Sequence, residues 1–84
     1  MHRIQPGDIV QHFKREFQHE GTMYMYKVLA FGEHTETKEK LVVYQALYGN
    51  KGVYCRPYDM FMIEVDHEKY PQYSQKYRFE KIEK

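Results

Sequence analysis

Tryptophan is absent from these 84 residues, cysteine occurs once, and proline occurs three times. No apolar run approaches the ~18 residues that a membrane span needs. A lone cysteine, Cys55, closes no internal disulfide and builds no cysteine-rich zinc site. Disulfide-stapled scaffolds and zinc ribbons are therefore excluded, and the thiol fits a reducing compartment. The opening "MHRIQPGDIVQHF" has neither the apolar core nor the cleavage site of a secretory signal, so a cytoplasmic location and no membrane partner are expected. An excess of one charge is missing too. With 13 basic and 12 acidic residues, no global field recruits nucleic acid, and a local patch is what stays open. A glycine-rich phosphate loop, a Ser-His-Asp order and a paired-cysteine motif are all lacking.

What is present is aromatic: nine Tyr and five Phe. Tyrosine combines apolar bulk with one polar tip, which suits a small barrel of half-buried side chains and equally suits a stacking surface. The length allows one domain, residues 1–84, with one small core.

Pro6-Gly7-Asp8 is turn chemistry, and a first strand begins at Ile9 and runs to Phe13. The polar stretch "REFQHEGTM" reads as an extended hairpin loop. The second strand is "MYMYKVLAFGEHT". Strict alternation there puts Tyr24, Tyr26, Val28, Ala30, Gly32, His34 and Glu36 on one face. After the charged turn "TKEK" comes "LVVYQALY", where Val42, Tyr44, Ala46 and Tyr48 alternate against Leu41, Val43, Gln45 and Leu47. The stretch "GNKG" makes a short hairpin loop, and a fourth strand starting at Val53 ends at Pro57, which has no N–H to donate. "PYDMF" fits one helical turn, Asp66 is placed to cap a short helix, and "KYRFEKI" is a last strand. The expected fold is mainly β: a small, strongly bent five-stranded antiparallel barrel, SH3-like, with one helical turn before the last strand.

Three constellations carry candidate chemistry. His34-x-Glu36 points two side chains to one strand face, beside the small residues Ala30 and Gly32. These are two of the ligands a zinc or iron site needs, with His12 as a third; equally, "HTET" ends the strand through local side-chain-to-backbone bonds. His12-x-Lys14 suits either a positive mouth for an anion or a solvated strand edge. Arg56 stands before a rigid turn, where its guanidinium can clamp a carboxylate, internal or foreign. Cys55 reads as a buried, inert thiol rather than a nucleophile.

The segments "HFK", "YKVLAFGEHTET", "VVYQALYG", "RPYDMF" and "YRFEKI" occur in order across most of the chain. Together they resemble a small bacterial family described as domain of unknown function 1653. The resemblance implies a short, all-β, cytosolic protein or module and names no activity. It implies that the pattern's polar positions fall on His12, Lys14, His34, Glu36, Thr37, Tyr44, Arg56 and Arg78. Two departures stand out. "REFQHEGTM" is longer than the family's short turn, and Tyr54 and Cys55 stand where a tryptophan-containing strand is common.

The function expected from these readings is a non-enzymatic binding module. It would contact a small anionic ligand, peptide or nucleotide through His12, Lys14, His34, Glu36, Tyr44 and Arg56, without a metal or cofactor. Nucleic acid is left open but not favoured, and a monomer or weak homodimer is expected. The rival reading is a small metal-dependent or acid–base enzyme using His12, His34 and Glu36. Geometrically, Glu36 and Arg56 are expected on the same side of the sheet as Tyr44, within one side chain's reach of each other, with His34 beside them.

Overall fold

Alternating burial along the longest apolar stretch sets the plan. In β3 (Lys40–Ala46), Val42, Tyr44 and Ala46 are buried while their neighbours are less so, the period-2 signature of a strand with one covered face. β3 pairs with β2 (Met25–Glu33), which lies at the centre of a five-stranded antiparallel sheet. β1 (Ile9–His12) flanks β2 on the other side. β4 (Val53–Pro57) and β5 (Phe79–Lys81) are the two edges. The computed structural model describes residues 3–82. Helix is scarce: one 3-10 turn at Phe13–Glu16 and one α-helical turn, α1, at Tyr58–Met62.

The strict alternation expected along β2 fails at one point. Val28 faces Tyr44, but Ala30 faces Val43, so Leu29 is an extra residue without a partner. This β-bulge exchanges the two faces of the strand beyond it. Phe31, opposite buried Val42, now joins the core side, while Ala30 and Gly32 turn to the outer side with Val43 and Leu41. The single face expected to run from Tyr24 to Glu36 is therefore split.

The core lies on one face of the sheet. Val10, Tyr26, Val28, Val42, Tyr44, Phe61 and Phe79 form one buried cluster. Phe61 of α1 stacks on Phe79 of β5 with ring centroids 4.1 Å apart and planes 2° apart. The Phe79 ring also touches Tyr26 and Tyr44 edge-on, at 5.6 and 5.7 Å. Offset and edge contacts of this kind add to what burial alone supplies.

The expected closure into a barrel does not form among the described residues. β5 is three residues long and spends its ladder on β1, so β4 and β5 remain unpaired edges. They approach through side chains instead: the Arg56 guanidinium lies 5.8 Å from the Phe79 ring centre. The last strand is also shorter than expected, with Tyr77 forming only an isolated bridge to Glu64. Asp66 caps a turn rather than a helix, accepting from the backbone N–H of Glu68 and Lys69.

Residues 63–78 return across the sheet end and are pinned there. Gln75 donates to the carbonyl oxygens of Gln11 and Tyr77. Glu16 accepts from the backbone N–H and hydroxyl of Ser74 and the N–H of Gln75. The Ser74 N–H is the main reason the Glu16 carboxyl is held below its usual range.

Phe79→Ala is expected to cost about 3–5 kcal/mol, because the vacated volume lies between α1 and the sheet where neither can collapse. Urea unfolding followed by circular dichroism measures this. A loss under ~1 kcal/mol would show that Phe79 does not hold the two parts together.

Candidate functional site

β1 ends earlier than its sequence pattern implies, and that early end builds the site. At His12 the chain leaves the strand and turns into the 3-10 segment. The His12 side chain caps that turn, its Nδ1 accepting from the Lys14 N–H at 3.1 Å. Nδ1 is therefore the unprotonated nitrogen, and any proton of the neutral ring sits on Nε2. Nε2 makes no hydrogen bond among the described residues. The ring stacks on Phe13 at 4.4 Å and on Tyr24 at 5.6 Å, and meets Phe79 edge-on at 5.1 Å.

Around it gather three cations. A cleft of about 190 Å³ is lined by His12, Phe13, Lys14, Arg56, Tyr70 and Arg78, with no carboxylate in its walls. They come from four parts of the chain: the end of β1 and the 3-10 turn, β4, the long return segment, and the residue before β5. Backbone bonds hold two of these parts together, since the Phe13 N–H donates to the Arg78 carbonyl at 2.9 Å. Among the described residues, Lys14, Arg56 and Arg78 form no ion pair; Asp8 with Lys81 is the pair present. Lys14 lies over the Tyr70 ring at 5.9 Å, as Arg56 lies over Phe79. Burial, and then the charges of Lys14, Arg56 and Arg78, lower the His12 pKa from 6.5 to about 4.

Arg56 also lines a second cleft of about 290 Å³, whose other walls include Tyr26, Tyr44, Tyr48, Asn50 and Tyr54. Here Tyr44 and Tyr54 lie opposite each other in the ladder, their ring centres 6.0 Å apart. The Tyr26 and Tyr48 hydroxyls share a hydrogen bond of 2.7 Å. Burial, then that bond, raises the Tyr26 pKa above its ordinary value. The two clefts thus meet at one guanidinium: one basic, the other phenolic.

Four of the six expected residues converge. His12, Lys14 and Arg56 share the basic cleft, and Tyr44 joins Arg56 in the phenolic one. His34 and Glu36 line neither. His12 sits beside the start of β2, where its N–H donates to the Tyr24 carbonyl, while His34 follows the end of β2. Nine strand residues at about 3.3 Å each separate them. His34 Nδ1 accepts from the N–H of Glu36 and Thr37, and Thr37 accepts from Glu39. The "HTET" stretch is thus a turn built by side-chain-to-backbone bonds. Glu36 is exposed and forms no ion pair with Arg56, so the expected Glu36–Arg56–His34 cluster is not formed. Among the described residues, no three of His, Cys, Asp and Glu gather as a metal site requires. Cys55 is exposed rather than buried as expected, because it lies opposite Val43 on the outer face of the sheet.

Arg78, Tyr48, Tyr54 and Tyr70 were not among the expected site residues. Alternation along "VVYQALY" already aligns Tyr48 with Tyr44, and Arg78 is one of the family pattern's polar positions. Tyr70 carries no sequence signal of this kind.

Fold and cleft together define a mainly β domain: one open antiparallel sheet with a basic and aromatic recess on the face that carries the core. The family described as "Protein of unknown function (DUF1653)" matches residues 8–81, and the chain belongs to that family. No curated protein and no solved structure matches it. Among the described residues, no helix is long and apolar enough to cross a membrane.

The lowered His12 pKa has a direct consequence for stability. The unfolded chain binds a proton at His12 near pH 6.5, whereas the folded chain resists it until about pH 4. Stability from this residue is therefore fully present above pH 6.5 and is lost as pH falls from 6.5 through about 4. The loss is on the order of 3 kcal/mol. His12→Asn keeps a capping acceptor but does not titrate, so its unfolding free energy should vary less with pH in that window. An unchanged slope in the variant would show that another group titrates there.

Proposed function

We propose that this chain is a small, non-enzymatic, cytoplasmic binding module whose ligand is a small anion held in the basic cleft. One observation carries the reading. Lys14, Arg56 and Arg78 converge beside His12 with no carboxylate to neutralise them. Gathering like charges in a partly buried recess costs free energy that an anion offsets. Arg56 and Arg78 offer planar forks suited to phosphate or carboxylate, and Lys14 adds a point charge. A neutral His12 adds an Nε2–H donor that does not repel its neighbours.

The openness of the recess favours binding over catalysis, because it leaves little wall to exclude water. The lone thiol supports a reducing compartment. The order of parts supports an SH3-like plan, with Arg56 reaching across the gap between the edges. His34 and Glu36, turned into a surface loop, have no part in this reading.

Titration of the ¹⁵N-labelled protein with inorganic phosphate tests it. Resonances of His12, Lys14, Arg56 and Arg78 are expected to shift together, with a dissociation constant of about 1 mM or tighter. Added chloride should weaken the binding. Arg56→Ala should abolish it with little loss of stability, whereas Lys27→Ala, on the outer face, should leave it unchanged. Phosphate that shifts no cleft resonance, or shifts them equally in Arg56→Ala, would sink the proposal.

A further inference from the structure

We infer that the joined clefts take a nucleoside 5′-phosphate, with the base in the phenolic half, the phosphate in the basic half and Arg56 between them. This rests on the anion-binding reading above and names the class of ligand. A simple anion needs only the basic half. The phenolic half opens onto the same guanidinium and has a different chemistry, so a ligand filling both must carry an anionic end and a flat, partly polar end.

Size agrees with this. The two recesses, about 190 and 290 Å³, fall below the range of about 300–1,000 Å³ usual for small-molecule sites. Joined across Arg56, they enter it. The ring compartment also has a solvent-exposed tyrosine among its walls. Tyr44 is 5% exposed and serves as a wall, but Tyr54 beside it is 47% exposed. A tyrosine face open to a cleft stacks on any base.

Gly52 supplies an independent observation. A Cβ placed on it would stand 2.6 Å from the Tyr54 hydroxyl oxygen and 2.8 Å from the adjoining ring carbon. Gly52 is not in the left-handed region, unlike Gly49. What the absent side chain leaves free is therefore room for the Tyr54 ring to fold back over the hairpin loop. That posture sets the ring as a wall of the recess. Asn50, on the same loop, lines the phenolic half and offers both a donor and an acceptor for a base edge.

A free nucleotide and the terminal nucleotide of a single strand share this chemistry. The walls of the phenolic half, apart from Arg56, hold no cation to follow a backbone onward. Strong binding along a strand needs such a track, so the single nucleotide is the expected ligand.

Calorimetry and ¹⁵N-detected titration with four probes test the inference: inorganic phosphate, adenosine, adenosine 5′-monophosphate, and a short single-stranded oligonucleotide with a 5′-phosphate. The monophosphate is expected to bind about tenfold or more tightly than phosphate, and the strand no more tightly than the monophosphate. Tyr54→Leu should remove that advantage and leave phosphate binding intact. Gly52→Ala, which displaces the ring without deleting it, should reduce the same advantage. Arg56→Gln should weaken both phosphate and monophosphate. Monophosphate binding no tighter than phosphate, or an advantage that survives in Tyr54→Leu, would overturn the nucleotide assignment and leave the anion reading standing. Failure of phosphate and monophosphate alike to bind would overturn both. A strand binding more than about tenfold better than the monophosphate would overturn the single nucleotide in favour of a strand.

Discussion

Everything in this domain depends on the burial of the Phe79 ring. It stacks on Phe61, meets Tyr26, Tyr44 and His12 edge-on, and lies under the Arg56 guanidinium. A sheet of five short strands with one covered face has little apolar area to spare, and its cover here is one helical turn and a long return segment. Phe79 is where cover and sheet meet. The same ring is the floor beneath the residues of both clefts, so the packing that stabilises the fold also brings His12, Arg56 and Tyr44 together.

That coupling explains why the charge cluster is tolerated. Lys14, Arg56 and Arg78 are half-buried and line an open recess, an arrangement long cationic side chains tolerate by burying their stems and keeping their heads in water. Two of the heads lie over aromatic rings, which recovers part of the desolvation cost. His12 relieves the rest by staying neutral. Its ring is wedged among Phe13, Tyr24 and Phe79, and its Nδ1 is committed to the Lys14 N–H.

The bulge at Leu29 has the opposite effect on the other end of β2. Before it, alternate residues point into the core; after it, the phase is reversed. Ala30 and Gly32, small residues that leave room above a face, lie on the outer side, and His34 continues into a turn that it braces with its own ring nitrogen. Two residues that strict alternation would place on the same face as Tyr44 are thereby taken off that face.

The sequence by itself determined where β3 and β4 run, since period-2 burial in β3, the Gly-Asn turn and Pro57 each act within a few residues. It also determined one helical turn at Tyr58–Met62 and the common face of Val42, Tyr44 and Ala46, because that face follows from local alternation. Only the tertiary structure decided that the sheet stays open, that Leu29 is a bulge, and that Arg78 and Tyr70 complete the basic cleft. Those outcomes depend on pairing partners far apart in the chain. A bulge is a property of two strands in register, and β5, three residues long, pairs with β1 while Phe79 stacks on Phe61 from α1.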